Sequence, residues 1–428
     1  MRTSGATRRW QAASCLALLL GVSTPATADD VVVEWNKHAA RLSVMPAFRL
    51  SPVQQSRVMA IVQVSVHDAV NSVTGRYETY LAYEGPPAEG VSAEAAAVGA
   101  AHHALRALFD AQAGNIDTWL ASSLAALGLP ADDPGIAYGR SVAAAVLAHR
   151  ASDGASAAQF AYTAPGAGDP GVWVPLTAVP ALLPGWGEVT PWVLRRGSQF
   201  RPDGPPALAS EQYAKDYNEV LEVGSAATST PEQTEIAHFW RASPTTIWND
   251  VLTQVLAARS LDLSDTARWI ALFYLATADA SIACWDAKYV YNFWRPLPAI
   301  RAGDADGNPF TVGDQLWAPL LATPPHPDYP SGHTTNSSAM ATVLQAVFGD
   351  SPGIPLSVTV FDNLLMTNLT RHWETFSEAV DEVVDARVYS GFHFRTADEV
   401  GARLGRQVAR FVLTHALGPC RGRGKQCP

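Results

Sequence analysis

The sequence predicts an all-α protein. Most of the chain consists of segments in which apolar residues recur every three or four positions, as they do on the buried face of an α-helix. The alternation of apolar and polar residues that marks half-buried strands is scarce. Hydrophobic residues make up 48% of the 428 residues and charged residues only 16%, so the chain can bury a large core. Helical bundles are the expected packing.

Residues 29–160 are predicted to form an N-terminal helical part. Its helical segments are rich in Ala and Leu, and turn residues such as Asn71, Gly75 and Gly154 close them. The predicted helices are Gln54–Val70, Ala93–Phe109, Ile116–Leu127 and Ala137–His149.

Residues 161–208 differ from the rest of the chain because they are dense in Pro, Gly and Trp. The segment cannot form a long helix, since each proline lacks an amide donor and clashes with the preceding turn. Its tryptophans, Trp173, Trp186 and Trp192, indicate that it packs against the protein. We interpret it as an ordered crossover over the surface. A flexible linker between two domains is the alternative.

Residues 209–418 are predicted to form a C-terminal helical part, followed by a short tail at 419–428. Apolar residues again follow the helical spacing. The predicted helices are Ser210–Val223, Pro231–Trp240, Asn249–Ala258, Ser264–Tyr291, His333–Phe348, Leu356–Asn368, Trp373–Tyr389 and Asp398–Leu417.

Residues 1–28 have the composition of a secretory signal peptide. Arg8 and Arg9 precede an apolar run at 15–22, and small residues that suit a signal peptidase follow it. The run is shorter than the about 20 residues that span a bilayer. The mature protein is therefore expected to be secreted or periplasmic. Gln11 leaves the choice between general and twin-arginine export open, because an apolar residue is usual at that position of a twin-arginine signal.

Charge and hydropathy exclude two classes of partner. The net charge is −10, and loss of the signal peptide would make it −13, whereas a nucleic-acid-binding protein normally carries a basic face. After residue 28 no stretch approaches the roughly 18 uninterrupted apolar residues of a membrane span. We therefore expect neither a nucleic-acid nor a membrane partner. The oligomeric state is left open.

Several common sites are also excluded. The chain has no Gly-x-Ser-x-Gly, Walker or His-Glu-x-x-His motif, and no C-x-x-C pair for zinc. Asp304–Asn308 begins like a calcium loop, but Gln315 replaces the closing glutamate, so we predict a plain turn. Cys420 and Cys427 are predicted to form a small disulfide, and Cys284 to be a buried thiol.

Lys288 and Arg295 form the first part of a predicted anion site. They are seven residues apart, and two helical turns would bring them to one face about 10 Å apart along the axis. Pro296 is expected to end that helix. Two cations on one face can clasp a multivalent anion. Two solvated charges on an amphipathic helix are the alternative.

Ser331, Gly332 and His333 form the second part, at the start of a predicted helix. Ser331 lies where a helix cap is expected, and Gly332 allows an anion to approach the free amides of the helix N-terminus. His333 in the first turn would exchange a proton with that anion. A cap without a ligand is the alternative.

Arg387 and His393 form the third part. Six residues apart, they would lie on different faces of an unbroken helix, but Gly391 suggests a break that turns both toward one point. An ordinary helix C-terminus is the alternative.

The three parts, in this order, resemble the signature of the vanadium-dependent haloperoxidases and the phosphatidic acid phosphatase type 2 enzymes. That signature is Lys, six residues, Arg-Pro; then Pro-Ser-Gly-His; then Arg, five residues, His. The segments His67–Asn71, Gln199–Pro202 and Asp286–Tyr289 are similar to the bacterial haloperoxidase branch. The resemblance thus covers most of the mature chain, and it implies an α-helical fold with two four-helix bundles.

The resemblance also implies a cofactor, vanadate, and a chemistry. His393 would be the vanadium ligand, His333 the acid or base that takes a proton from hydrogen peroxide, and Lys288 the cation that draws charge from the peroxide. Halide would be oxidised to hypohalous acid, which halogenates a small organic substrate. The implied vanadate-binding residues are Lys288, Arg295, Ser331, Gly332, His333, Arg387 and His393.

Two positions depart from the family pattern. Ala386 stands where a serine usually precedes the arginine. The first acid after His393 is Asp398, with four residues between them instead of three, which puts in doubt its role in orienting the histidine.

Two further residues are predicted to lie near the halide, His326 and Trp294. A histidine at the position of His326 is typical of the algal bromide-oxidising enzymes, so bromide and iodide are favoured over chloride. A turn histidine between prolines is the alternative.

Two rival functions use the same residues. In a soluble acid phosphatase, His393 would attack phosphorus and His333 would protonate the leaving group. An exported protein that only binds an oxyanion would need no acid or base, so His333→Ala would leave it intact and would inactivate an enzyme.

Overall fold

The computed structural model describes residues 30–83, 87, 89–259 and 261–420, together with Met1 and Cys427. The predicted signal peptide lies, apart from Met1, outside the described residues. The described residues form thirteen α-helices and one pair of β-strands, so the all-α prediction is confirmed. The helices are α1 Val31–Ser43, α2 Pro52–Thr74, α3 Ala93–Leu108, α4 Ala113–Leu127, α5 Pro134–Arg150, α6 Glu211–Val223, α7 Pro231–Phe239, α8 Pro244–Ala257, α9 Leu263–Tyr291, α10 Pro296–Arg301, α11 Gly332–Phe348, α12 Phe376–Tyr389 and α13 Arg395–His415.

Side-chain caps set where several helices begin. Thr230 and Gln233 form a reciprocal capping box at the start of α7, and Thr375 and Glu378 form another at the start of α12. A proline occupies the first position of α7, where its missing amide proton costs no helical hydrogen bond. Two helices, α1 and α10, are additional to those predicted.

The helices form two bundles that meet at the long helix α9. In the first bundle α2, α3 and α5 pack against one another, with α1 and α4 beside α3. In the second bundle α11 packs against α9, α12 and α13. By length and composition α9 could cross a membrane, but its most apolar stretch is buried entirely inside the protein. It is the central helix, in contact with α2 on one side and with α11 and α13 on the other.

The proline-rich segment 161–208 contains short 3-10 turns and no α-helix, and it is packed down on α9. Trp173, Trp186 and Trp192 are buried. Asp279 of α9 accepts hydrogen bonds from three consecutive backbone amides, beginning with that of Trp192, at 2.7, 2.8 and 2.8 Å. We call this arrangement of Asp279 and the amides of residues 192–194 the crossover anchor.

The prediction of a helix at Leu356–Asn368 is wrong. This segment contains strand β1, Leu356–Asp362, which pairs antiparallel with strand β2, Thr367–Trp373. Buried and exposed residues alternate along β1, with Val358 and Val360 on the buried face. β-Branched residues at a spacing of two suit a half-buried strand, and this period overrides the helical interpretation. The following helix, α12, accordingly begins three residues later than predicted.

The predictions for the cysteines are confirmed. Cys420 and Cys427 form a disulfide, and Cys284 is a buried free thiol in α9. The segment that begins like a calcium loop is a turn in which the Asp306 carboxylate accepts hydrogen bonds from the Asn308 amide and from a threonine hydroxyl.

Candidate active site

Lys288 and Arg295 do not share a helix, contrary to the prediction. α9 ends just before Asn292, which adopts the left-handed conformation with φ of 48°, and Arg295 lies in an extended connection. Pro296 begins α10 instead of ending α9. The chain nevertheless brings both cations to one loop, residues 326–328, where both are fully buried.

Backbone carbonyl groups of this loop hold the two cations. Lys288 Nζ donates to the carbonyl oxygens of Pro327 and Asp328 at 2.7 and 2.9 Å. Arg295 Nε donates to the carbonyl oxygen of His326 at 2.8 Å. Burial lowers the pKa of Lys288 to about 7 and that of Arg295 to about 10. Two cations in a dry site of this kind favour an anion between them.

Arg295 also determines which nitrogen carries the proton in two histidine rings. Its Nη1 lies 3.0 Å from Nε2 of His393, and its Nη2 lies 3.0 Å from Nδ1 of His326. A guanidinium can only donate, so each of these ring nitrogens is the unprotonated one. The 3.3 Å contact between His326 Nδ1 and the Pro327 carbonyl would need the opposite tautomer. The contact with Arg295 is shorter, and a guanidinium can only donate, so we assign His326 Nδ1 as the unprotonated nitrogen.

His393 follows the helix break predicted at Gly391. That glycine has φ of 77°, and it separates Arg387 in the last turn of α12 from His393 in the loop before α13. Arg387 Nη1 donates to the carbonyl oxygen of Trp240 at 3.0 Å, and its guanidinium carbon lies 4.4 Å from the centre of the Phe392 ring. Its Nε has no hydrogen-bond partner among the described residues, and burial lowers its pKa to about 9.

Ser331 and Gly332 leave several donors free at the start of α11. The Ser331 hydroxyl does not cap the helix, and it is fully buried without an aligned partner among the described residues. The first helical bond runs from the Thr335 amide to the Ser331 carbonyl oxygen at 3.1 Å, so the amides of the intervening turn have no helical acceptor. A Cβ on Gly332 would lie 3.0 Å from the Trp285 ring, which shows how closely that ring borders the helix start.

His333 lies on the same turn and is partly exposed to solvent. Its Nε2 is 3.4 Å from the carbonyl oxygen of Ala242, between α7 and α8. Burial of most of the ring, followed by the charge of Arg387, holds the pKa of His333 well below its usual value. A ring that is neutral and also reaches solvent can accept a proton from a reactant and pass it on.

Asp328 is a member of the site that sequence reasoning missed, as it missed Trp285. Its carboxylate oxygen Oδ1 lies 2.8 Å from His393 Nδ1 and 3.6 Å from Arg295 Nη1, although neither contact is aligned as a hydrogen bond. Asp328 is fully buried, and burial raises its pKa to about 7 against the opposing effect of Arg295 and Lys288. A signal was present in the sequence, because this acid interrupts the proline-rich loop three residues before Ser331.

Asp398, the acid with the shifted spacing, lies elsewhere in the site. It is fully buried on α13, and its polar neighbours include Ser331 and Arg387. Burial raises the pKa of Asp398 well above its usual value. The acid beside the ring of His393 is thus Asp328.

His326 joins the site, and Trp294 does not. The centre of the His326 ring lies 5.0 Å from that of Trp285. The Trp294 side chain is buried in a separate hydrophobic cluster together with Tyr213 and Phe293. In the extended connection before α10, successive side chains point in opposite directions, so Arg295 enters the site and its neighbour points away. The indole of the site belongs to Trp285.

The structure therefore brings together Lys288, Arg295, Ser331, Gly332, His333, Arg387 and His393 with His326, Asp328 and Trp285, and we call this set the oxyanion site. It combines three buried cations, a helix N-terminus and an unprotonated ring nitrogen, Nε2 of His393. No group of three His, Cys, Asp or Glu side chains among the described residues is arranged to hold a metal cation.

The comparisons with known proteins agree with this arrangement. A family model described as the VCPO second helical-bundle domain matches residues 268–422, which include the whole oxyanion site. The vanadium chloroperoxidase of Curvularia inaequalis is 24% identical over 279 residues, which are 50% of this chain and 45% of that protein. A solved structure of a bacterial vanadium-dependent iodoperoxidase has a TM-score of 0.75 and 27% identity, covering 92% of this chain and 97% of that one.

The chain is thus similar to vanadium-dependent haloperoxidases in sequence and in fold. The solved structure of an apo-type bacterial vanadium-dependent chloroperoxidase also shares the fold of this chain, with a TM-score of 0.68, 19% identity, and coverage of 86% of this chain and 95% of that one. The match to the curated relative spans less than half of that relative's length.

The residues of the oxyanion site fit vanadate. The buried Ser331 hydroxyl and Arg387 Nε have no aligned hydrogen-bond partner among the described residues, and both are donors that an oxyanion can use. The Nε2 electron pair of His393 is held ready by the tautomer that Arg295 requires. Lys288, Arg295 and Arg387 match the multiple negative charge of the ion.

Proposed function

We propose that the protein is a vanadate-dependent haloperoxidase that uses hydrogen peroxide to oxidise a halide to hypohalous acid, with bromide and iodide favoured over chloride. The observation that carries the proposal is the unprotonated Nε2 of His393 among buried cations at the N-terminus of α11. His326, which lies against Trp285 at the edge of the site, supports the halide preference. The solved relative at 27% identity is an iodoperoxidase.

Vanadate, when bound, supplies a Lewis acid that activates hydrogen peroxide. The residues of this chain bind and orient it: His393 through Nε2, Lys288 and Arg295 through charge, and Ser331 and Gly332 through hydroxyl and amide donors. Because these donors are fixed before the ligand arrives, they require little reorganisation during the reaction.

His333 performs the proton transfer in this proposal. Its pKa is held low by burial and by Arg387, so the ring is neutral and can take a proton from hydrogen peroxide. The contact between His333 Nε2 and Ala242 is long, at 3.4 Å, so little holds the ring nitrogen away from a reactant. Partial exposure of the ring provides a route for that proton to solvent.

We further propose that the enzyme acts outside the cytoplasm on a small organic substrate. The composition of residues 1–28 supports export, and the disulfide between Cys420 and Cys427 suits an oxidising compartment. A small organic molecule is the expected acceptor of the halogen, since hypohalous acid can diffuse from the buried site to it.

A soluble acid phosphatase is the second candidate function. The observation that favours it is Asp328, whose carboxylate lies 2.8 Å from His393 Nδ1. An acid beside one ring nitrogen makes the opposite nitrogen a better nucleophile toward phosphorus. Phosphate and vanadate have the same shape and charge, so the same cations would bind either.

Halogenation of a phenol dye tests the proposal. The purified protein, freed of oxyanions, is given hydrogen peroxide and bromide before and after addition of orthovanadate, and the same preparation is assayed with p-nitrophenyl phosphate. We expect vanadate-dependent bromination that His393→Ala abolishes. The matched control is His372→Ala, because His372 is exposed on β2.

The alternative outcomes discriminate between the candidates. Phosphate release that vanadate inhibits, without bromination, would contradict the haloperoxidase proposal and leave the phosphatase standing. Tight vanadate binding with neither activity would identify a binding protein instead.

A further inference from the structure

We propose that Asp328 is the positioning residue of His393: it holds the proton on Nδ1 and thereby keeps the Nε2 electron pair directed at the oxyanion. This inference deepens the proposed function. It rests on that function because it requires a bound ion, such as vanadate, that forms a bond to Nε2. The acid at the shifted family position, Asp398, is assigned no part in orienting the ring.

The first argument is the placement of donors around the ring. Arg295 Nη1 is 3.0 Å from Nε2 and can only donate, so the proton of a neutral His393 is on Nδ1. Asp328 Oδ1 lies 2.8 Å from Nδ1, at a short distance although not aligned as a hydrogen bond, and no other polar atom of the described residues forms a hydrogen bond with Nδ1. Arg295 and Asp328 thus act on opposite edges of one ring and require the same tautomer.

The second argument is that the backbone of Asp328 is held from two sides. Its amide donates to the carbonyl oxygen of Phe293 at 2.9 Å, and its own carbonyl accepts a hydrogen bond from Lys288 at 2.9 Å. Both partners belong to α9 or to the connection just after it. The carboxylate is therefore placed by a rigid element, as a positioning group must be.

The third argument is electrostatic. Asp328 is a buried acid next to a site for an anion, so its negative charge opposes binding of that anion. A site that held its ligand by charge alone would bind better without this residue. The presence of Asp328 beside Nδ1 is explained if orienting the His393 ring strengthens anion binding by more than the negative charge of Asp328 weakens it.

This reasoning predicts opposite responses to two oxyanions. Inorganic phosphate would be held by charge and hydrogen bonds, whereas vanadate would also bond to Nε2. Asp328→Ala removes the opposing charge and the proton acceptor together. We expect the affinity for phosphate to be unchanged or a few-fold higher, and the affinity for vanadate to fall about 10- to 100-fold, the usual cost of losing a group that orients a metal ligand.

Titration calorimetry of the full-length protein with orthovanadate and with inorganic phosphate measures both affinities. Asp328→Asn should restore most of the vanadate affinity, because the amide oxygen can accept the Nδ1 proton. Asp398→Asn is the matched control: it also replaces a buried acid of the site by its amide, and it should change both affinities by the same factor. Equal changes of the two affinities in Asp328→Ala would overturn the proposal.

A second measurement needs no variant of Asp328 and no vanadate. Long-range 1H–15N correlation of the protein with 15N-labelled histidine reports the tautomer of each ring, and His393→Ala assigns the signal. We expect a protonated Nδ1 and an unprotonated Nε2. A proton found on Nε2 of His393 would refute the positioning role even if the protein is a haloperoxidase. A protein that fails to bind vanadate yet shows the expected tautomer would contradict the proposed function alone.

Discussion

Two regions of the second bundle bury carboxylates in opposite ways. In the crossover anchor, Asp279 accepts three backbone amides at hydrogen-bonding distance. In the oxyanion site, Asp328 and Asp398 accept no aligned hydrogen bond from the described residues, although all three acids are fully buried. The anchor uses its charge to hold the chain, whereas the site leaves polar atoms without partners. Groups left in this way point to a ligand.

The same contrast separates the donors of the two regions. The amides at the anchor are all paired, whereas at the site the Ser331 hydroxyl and Arg387 Nε have no aligned hydrogen-bond partner among the described residues. An unpaired buried polar atom costs about 1–3 kcal/mol, so the fold keeps several of them together only where a ligand repays that cost. Disruption of the anchor should therefore affect stability, and disruption of the site should affect function.

The largest expected effect is that of His333→Ala on turnover. Removal of the proton acceptor should lower turnover of the vanadate-loaded enzyme about 10²- to 10⁴-fold. The unfolding free energy should stay within about 0.5 kcal/mol, because the only polar contact of the His333 ring with the described residues is the long one to Ala242. Steady-state bromination and urea unfolding measure the two quantities. A parallel loss of stability would show that the site also holds the fold together.

Asp279→Ala should show the reverse pattern. It leaves three buried amides without an acceptor, so we expect the unfolding free energy to fall by about 3 kcal/mol. The vanadate affinity of the folded fraction should not change. Urea unfolding and titration calorimetry check both statements, and an unfolding midpoint equal to that of the wild type would contradict the structural role of the anchor.

Gly332→Ala should produce a smaller effect, confined to the site. The new Cβ would lie 3.0 Å from the Trp285 ring and beside the free amides of α11, so vanadate affinity should fall about 10-fold and stability by about 1 kcal/mol at most. Gly114→Ala in α4 is the matched control, because its Cβ would meet nothing within 4 Å. The control should be neutral or slightly stabilising. Equal vanadate affinities of the two variants would show that Gly332 is not needed for access to the amides.

The last effect concerns pH and a fourth buried acid, Asp68 of α2. Its carboxylate accepts the amides of Tyr80 and Leu81 and the hydroxyl of Tyr83 at 2.7, 3.0 and 2.8 Å. Burial still raises the pKa of Asp68 to about 7. In the unfolded chain the pKa is about 3.9, so the folded state binds the proton more tightly.

The contribution of Asp68 protonation to stability is therefore fully present below about pH 4 and is lost as the pH rises to about 7. Asp68→Asn should remove this dependence. The unfolding free energy of the variant relative to the wild type should therefore rise by about 3 kcal/mol between pH 4 and pH 7. Urea unfolding across this range measures it, and a difference that does not vary with pH would show that Asp68 titrates normally.

Much of the fold could be predicted from periodicity, because a helix that lies against a core repeats its apolar residues every three or four positions. The long central helix α9 and the helices α11 and α13 were found in this way. The hairpin of β1 and β2 was not, because a short apolar run with β-branched residues suits either structure until its neighbours are known. Only the packing of β1 in the folded protein shows that Val358 and Val360 both lie on its buried face.

For the oxyanion site, the residue types and their order were sufficient to nominate seven residues that the structure brings together. Their geometry was not predictable. Lys288 and Arg295 were expected on one helix, but the chain leaves the helix at Asn292, and Arg295 reaches the site from an extended connection. In that extended connection the side chain of Trp294 points away from the site. Trp285, one helical turn before Lys288, borders the site instead.

The sequence by itself determined the helical class, the disulfide and the cation and histidine motifs, since each depends on residue types at short spacing. The tertiary structure alone decided which acid serves His393. Asp398 is near it in sequence, but Asp328, 65 positions earlier, is 2.8 Å from its ring. The physical reason is that a hydrogen-bond partner is selected by distance and direction in space, and these are set by the packing of a loop against the end of α9, which no local pattern records.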